Sequence, residues 1–191
     1  MLRNALFAAL LFAPTVFSGP AFAEGDGPGP NLVIEVAGAA NGEIVIDLNP
    51  DIAPKHVAQI VALAKSGAYD NVVFHRVIDG FMAQTGDVQY GKKGGDTSMA
   101  GMGGSDMPNI PAEFSGIPHD RGTIGAARSA SPNSANSQFF INFKDNHFLN
   151  RQYTVYGRVI SGMEHVDAIT KGEPPANPDR MITVRVAADV Q

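Results

Sequence analysis

Short runs in which apolar and polar residues alternate punctuate this chain, and that period of two constrains its fold more than any other feature. Asn31-Leu32-Val33-Ile34-Glu35-Val36 and Glu43-Ile44-Val45-Ile46-Asp47-Leu48 read as strands, because successive side chains of an extended backbone point to opposite faces. Between them, Asn41-Gly42 offers two residues that tolerate positive φ, which predicts an antiparallel hairpin turning at that pair. Further strands are expected over residues 72–77, 81–84 (after a turn at Asp79-Gly80), 122–127, 138–142, 154–159 and 181–187. Only two helices are expected. One starts at Pro54, where a missing N–H costs little, carries Val57, Ile60, Val61 and Ala64 on one face, and stops at Gly67. The other is short, over residues 163–170. Residues 86–116 are rich in glycine and methionine without a period, and so long a loop inside a compact domain is functional or mobile. Many short strands with two helices, and no internal repeat, argue for a β-barrel or sandwich over a parallel α/β sheet.

Hydrophobic residues make up 44% of the 191 and charged residues 17%, which suits one soluble domain with a sizeable core. The N-terminus stands apart. Met1-Leu2-Arg3-Asn4 is a short positive segment, residues 5–16 are largely apolar but broken by Pro14, and Ala21-Phe22-Ala23 has the small-x-small form of a cleavage site. Residues 1–23 therefore read as a secretory signal peptide, too short in its apolar part for a membrane span. Residues 24–30, Glu-Gly-Asp-Gly-Pro-Gly-Pro, read as a flexible leader, and 31–191 as the folded domain. A formal net charge of −5, made more negative by loss of Arg3, disfavours nonspecific nucleic-acid binding. No cysteine is present, which excludes disulfide staples, thiol chemistry and a lipid-acceptor cysteine after the signal. The expected mature protein is a free monomer without membrane insertion, exported to a bacterial periplasm, with secretion as the alternative.

Several chemistries are disfavoured by what is missing. His56, His75, His119, His147 and His165 have no zinc-type spacing, so no metal is expected. No G-x-S-x-G elbow supports a serine hydrolase. Gly86-Asp87-Val88-Gln89-Tyr90-Gly91-Lys92-Lys93 approaches a phosphate-binding loop, but Lys93 stands where the magnesium-binding hydroxyl belongs and glycines follow instead of a helix. No cofactor is implied.

Two stretches do carry chemistry. In Ser137-Gln138-Phe139-Phe140-Ile141-Asn142, a strand puts Phe139 and Ile141 on one face and Gln138, Phe140 and Asn142 on the other. The second set makes a poor core face but a good shallow apolar site rimmed by amides; a simple edge strand with one packed aromatic is the alternative. Arg76 lies inside an apolar, β-branched strand, where a guanidinium needs partners. It is either half of a structural ion pair or a donor fork aimed at a substrate, with Gln84 able to orient it. Phe81 and Met82 lie close enough in sequence to complete a pocket, or they are core.

These stretches resemble the signature of the cyclophilins. The resemblance covers roughly residues 32–190 and rests on Phe-His-Arg-x-x-x-Gly-Phe-Met-x-Gln-x-Gly-Asp at residues 74–87, Pro111-Ala112-Glu113-Phe114, Gly122-Thr123-Ile124 and Asn136-Ser137-Gln138-Phe139-Phe140-Ile141. It implies a mainly β fold, a closed eight-stranded antiparallel barrel capped by two α-helices. It implies peptidyl-prolyl cis-trans isomerase activity on proline-containing polypeptides, assisting the folding of exported proteins. A non-catalytic proline-binding chaperone on the same scaffold is the alternative. Carried over by position, the catalytic arginine is Arg76, the proline pocket is Phe81, Met82, Phe140 and Leu149, and the groove amides are Gln84 and Gln138. Ser129 and Ala130 fall on the segment whose backbone pairs with the substrate chain. Phe148 stands where eukaryotic members often have tryptophan, and Tyr153 where they often have a groove histidine. With no tryptophan in the chain, the indole N–H that favours tight cyclosporin binding is missing.

Overall fold

The structure is a computed structural model and describes residues 26–187. The expected signal peptide, and the ends of the chain on either side of 26–187, lie outside the described residues. Of the expected leader, residues 26–30 run beside the second strand: Gly27 N–H donates to Asp47 Oδ2 at 3.2 Å, and Leu48 N–H to the Pro30 carbonyl at 3.1 Å.

Strands β1 (Asn31–Ala37) and β2 (Gly42–Leu48) pair antiparallel, with Asn31 opposite Asp47 and Val36 opposite Gly42. Their apolar positions face inward as the alternation requires: Leu32, Ile34, Val36, Ile44 and Ile46 are all buried. The connection spans residues 38–41 instead of turning at Asn41-Gly42. Tertiary contacts decide this. The His165 ring stands where a Gly42 side chain would project, and Ala40 N–H donates to the buried Asp179 Oδ1 at 2.7 Å.

The remaining strands are β3 (Val72–Val73), β4 (Arg76–Ile78), β5 (Met82–Thr85), β6 (Thr123–Ala126), β7 (Phe139–Asn142), β8 (Val155–Ser161) and β9 (Arg180–Val186). All nine join one sheet in the order β3-β9-β1-β2-β8-β6-β7-β5-β4. The mainly β architecture with two helices is as expected. The closed eight-stranded barrel is not: the sheet is a strongly curled nine-stranded half-barrel whose two edges do not pair. The strand expected over 72–77 is interrupted at Phe74-His75, which lie in neither ladder: Phe74 N–H donates to the Asp179 carbonyl at 2.9 Å, and His75 lies against Gly101 of the loop over residues 86–116. The first half of that strand pairs with β9 and its second with β5, so the two sheet edges are joined by the chain itself and not by a ladder.

Helix α1 (Pro54–Lys65) buries Val57, Ile60, Leu63 and Ala64 against the sheet. It has no capping side chain of its own and no acid in its first turn. Glu113 supplies both from a distant loop, accepting Lys55 N–H at 3.1 Å, His56 N–H at 3.0 Å and the His56 ring at 2.6 Å. Burial lowers the affinity of His56 for a proton, so this contact is a carboxylate bound to a neutral imidazole more than an ion pair. Helix α2 (Met163–Asp167) is shorter than the sequence suggests. Among the described residues, no helix is long and apolar enough to cross a membrane.

Candidate active site

The outer face of β4, β5, β7 and β6 is where the chemistry-bearing residues meet. Register places Arg76 opposite Gln84, Gln84 opposite Phe140, and Phe140 opposite Gly125, so these four form one row across four strands. The next row is Ile78, Met82 and Asn142. Phe139 and Ile141 point the other way, into the main core, as the alternation predicts.

Met82, Phe140 and Leu149 form an apolar cluster separate from that core, with Ile78, Phe81, Ala127 and Tyr153 packed around it. Leu149 comes from a 3-10 turn, His147–Leu149, and Tyr153 follows that turn. Phe140 is held on two sides. The His119 ring stacks on it with centroids 5.9 Å apart, and Tyr153 meets it edge-on at 6.0 Å. Phe148 remains outside this cluster: it is 64% exposed and leans on Phe81, ring centroids 5.6 Å apart.

The pocket floor is a buried polar network. Asn142 Nδ2 donates to Thr123 Oγ1 at 2.9 Å and approaches His119 Nδ1 at 3.3 Å; Asn146 Nδ2 donates to Asn142 Oδ1 at 2.8 Å and to the Phe81 carbonyl at 2.9 Å. His119 Nε2 faces the Tyr153 carbonyl, which can only accept. His119 is therefore the Nε2–H tautomer, and burial keeps it neutral by pushing its pKa below the ordinary value.

Beside the pocket runs a relay of polar groups. Arg76 Nη1 lies 3.5 Å from Gln84 Oε1, Gln84 Nε2 donates to Gln138 Oε1 at 3.0 Å, and Gln138 Nε2 donates to the carbonyls of Gly101 and Gly103 at 3.0 and 2.7 Å. Of the two readings of Arg76 from sequence, the ion pair is the one observed. Arg76 Nε pairs with Glu173 Oε1 at 2.6 Å, and the side chain is 42% exposed. The loop over residues 86–116 is pinned by Asp87, which is fully buried and accepts backbone N–H groups of Gln89, Tyr90, Gly101 and Gly103. This clamp turns Met102 and its neighbours into one wall of a groove of about 340 Å³, faced by Ala127 and Ser129 with Gln84 and Gln138 between.

Ser129 and Ala130 lie exposed on the loop after β6. The backbone groups of Ser129 already have partners, its N–H bonding Ser134 Oγ at 3.0 Å and its carbonyl accepting Arg128 Nη1 at 2.9 Å. Arg128 also stacks on the Tyr153 ring at 4.3 Å, which joins the groove to the pocket. Sequence reasoning missed Gly125, His119, Asn146, Asp87 and Glu173. Gly125 directly follows the motif at residues 122–124 and Asp87 closes the one at 74–87, and the row across the strands could have flagged Gly125. Glu173 is 97 residues from Arg76 and carries no local signal.

For a metal, the one grouping of three candidate side chains among the described residues is Asp120, Asp145 and His147, with ligand atoms within 4.8 Å of one another. All three are exposed and lie outside the pocket cluster, and His147 Nε2 is already bonded to Asp120 Oδ1.

An apolar cluster next to an arginine and two linked amides on a curled antiparallel sheet is the arrangement expected of a prolyl isomerase. Comparison with known proteins shows the family. Residues 32–187 match the family model described as cyclophilin type peptidyl-prolyl cis-trans isomerase/CLD. A probable peptidyl-prolyl cis-trans isomerase of Brucella suis is 49% identical over all of this chain and 98% of its own length. Peptidyl-prolyl cis-trans isomerase B of Escherichia coli is 38% identical over 68% of this chain and 79% of its own. Among solved structures, a cyclophilin from Hirschia baltica superposes with a TM-score of 0.74 at 27% identity, covering 87% of this chain and 77% of that one. A cyclophilin-type isomerase of Cryptosporidium parvum, crystallised in the presence of the dipeptide Ala-Pro, gives 0.70 at 26%, covering 82% and 98%. The chain belongs to the cyclophilin-type peptidyl-prolyl cis-trans isomerase family and is an enzyme of that class.

Proposed function

We propose that this protein speeds rotation about X–Pro bonds in exported polypeptides, with Arg76 as the catalytic donor. The observation that carries this reading is the shared row: Arg76, Gln84 and Phe140 stand side by side across β4, β5 and β7, so a proline ring on Phe140 lies within reach of the guanidinium.

Uncatalysed, the bond crosses a barrier of roughly 18–20 kcal/mol, because rotation breaks amide resonance. In the twisted transition state the prolyl nitrogen becomes pyramidal and regains a lone pair. A donor at that nitrogen binds the transition state more strongly than the planar ground state, which is the condition for catalysis. Arg76 is always protonated and offers such a donor. Phe81, Met82, Phe140 and Leu149 hold the ring and exclude water, which strengthens the Arg76 contact. Gln84 and Gln138 steady the guanidinium side of the site, and the groove between Met102 and Ser129 receives the chain beside the proline. No bond is broken, so the chemistry calls for no nucleophile, metal or cofactor.

Residues 1–23 support export, with the periplasm as the destination. N-terminal sequencing of the mature protein tests this, Glu24 being the expected first residue. Arg76→Ala tests the catalytic role. The variant should fold normally and lose about 100-fold or more in isomerisation rate, the scale seen when a transition-state donor is removed. Near wild-type turnover of a proline-containing peptide would sink the assignment.

A further inference from the structure

Arg76 sits on β4, a strand of three residues at the sheet edge, with β5 as its ladder partner. On the other side a single bridge holds it. Val77 N–H donates to the Gly172 carbonyl and Gly172 N–H donates to the Val77 carbonyl, both at 2.8 Å. That bridge sets the next residue, Glu173, against the guanidinium. The segment is shaped to stay there. Gly172 adopts φ +152°, a side chain on it would run into Pro175, and Pro175 is buried. The resulting contact, Arg76 Nε to Glu173 Oε1, is short at 2.6 Å, yet its two side chains are 42% and 52% exposed. An ion pair so exposed adds little to fold stability. What it does fix is direction. Gln84 Oε1 is 3.5 Å from Nη1, too long to hold the planar group alone, and Nη2 has no partner among the described residues.

We propose that Glu173 is a positioning residue for catalysis: by anchoring Nε, it locks the guanidinium plane so that its Nη end is presented to the prolyl nitrogen. The inference rests on Arg76 being the donor. It assigns a purpose to a segment, residues 172–175, that lies far in sequence from every motif of the site. A carboxylate held at Nε leaves the outer donors free, because the guanidinium fork has separate edges.

The test uses Glu173→Ala, Glu173→Gln and Glu173→Asp in the mature protein, with kcat and KM measured separately by exchange NMR on a proline-containing tetrapeptide. Glu173→Ala and Glu173→Gln should lower kcat about tenfold with KM and thermal unfolding unchanged, since only a transition-state contact is misaligned. Glu173→Asp should recover part of the loss. In side-chain ¹⁵N NMR, the Arg76 Nε–H resonance should be shifted downfield and protected from solvent in the native protein, and lose both features in Glu173→Ala. In an Arg76→Ala background, Glu173→Ala should change nothing further. Two outcomes overturn the inference alone: Glu173→Ala within about twofold of native kcat while Arg76→Ala is inactive, or additive losses in the double variant. An active Arg76→Ala variant would instead overturn the reading on which it rests.

Discussion

Gly125→Ala tests the architecture of the pocket most directly. Gly125 lies opposite Phe140 in the β6–β7 ladder, and the Phe140 ring occupies the space where a side chain on residue 125 would stand. A Cβ there would lie 2.6 Å from Phe140 Cε2 and 2.8 Å from Cε1, with Cζ closer still. Ordinary carbon contacts are about 3.5–4.0 Å, so the ring must retreat by roughly 1 Å. His119 stacked on one side and Tyr153 edge-on at the other leave it one way to go, toward Met82 and Leu149 and so into the proposed proline pocket. Overpacking of this kind costs about 1–3 kcal/mol, or roughly 3–10 °C in Tm for a domain this size. The catalytic loss should be larger, because a misplacement near 1 Å can cost about 100-fold. The expected result is a fall in kcat/KM of about 10- to 100-fold at 25 °C, where the variant is still folded, dominated by KM. Adding Phe140→Leu removes the clash and should restore Tm without restoring activity. A variant with kcat/KM within about twofold of the native enzyme, or a crystal structure showing the ring unmoved, would refute the argument.

Asn146→Ala should destabilise the protein by about 1–3 kcal/mol and raise KM, because it strips partners from the buried Asn142 Oδ1 and the Phe81 carbonyl at the pocket floor; urea unfolding and steady-state kinetics check both. Glu113→Ala should cost about 1–2 kcal/mol by uncapping α1 while leaving kcat near native, since its side chain bonds only Lys55 and His56, neither of them in the pocket cluster. Stability should fall as pH drops. Burial holds His56, His75 and His119 below their ordinary value of 6.5, so the unfolded chain takes up protons that the folded chain resists. Their contribution is intact above pH 6.5 and is lost as pH falls from there through the lower folded-state values. A urea midpoint that stays flat between about pH 7 and about pH 5 would contradict this.

Much of the site was legible in the sequence because a strand's period of two sorts side chains onto faces without further information. Phe140 on the site face and Phe139 and Ile141 on the core face follow from that alone. The apolar cluster of Phe81, Met82, Phe140, Leu149 and Tyr153 was assembled from residues carried over through the family resemblance, and the packing brings them together. Phe148 was named with them but stands exposed beside Phe81, since its place in the 3-10 turn directs it outward. The backbone of Ser129, named as a partner for the substrate chain, is bonded within its own loop. Asn142, read as part of the rim, is instead buried beneath it and binds Thr123 and Asn146.

By itself, then, the sequence determined most of the strands and the face of the first helix, because periodicity is a local property, and the family resemblance singled out Arg76. Only the tertiary structure decided closure, since the strand expected over 72–77 divides at Phe74-His75 between the two sheet edges. Only the tertiary structure brought Glu113 to the start of α1, set Gly125 beneath Phe140 and laid Glu173 on Arg76. Each is a contact between residues separated in the chain, and no local pattern encodes which distant side chain will meet which.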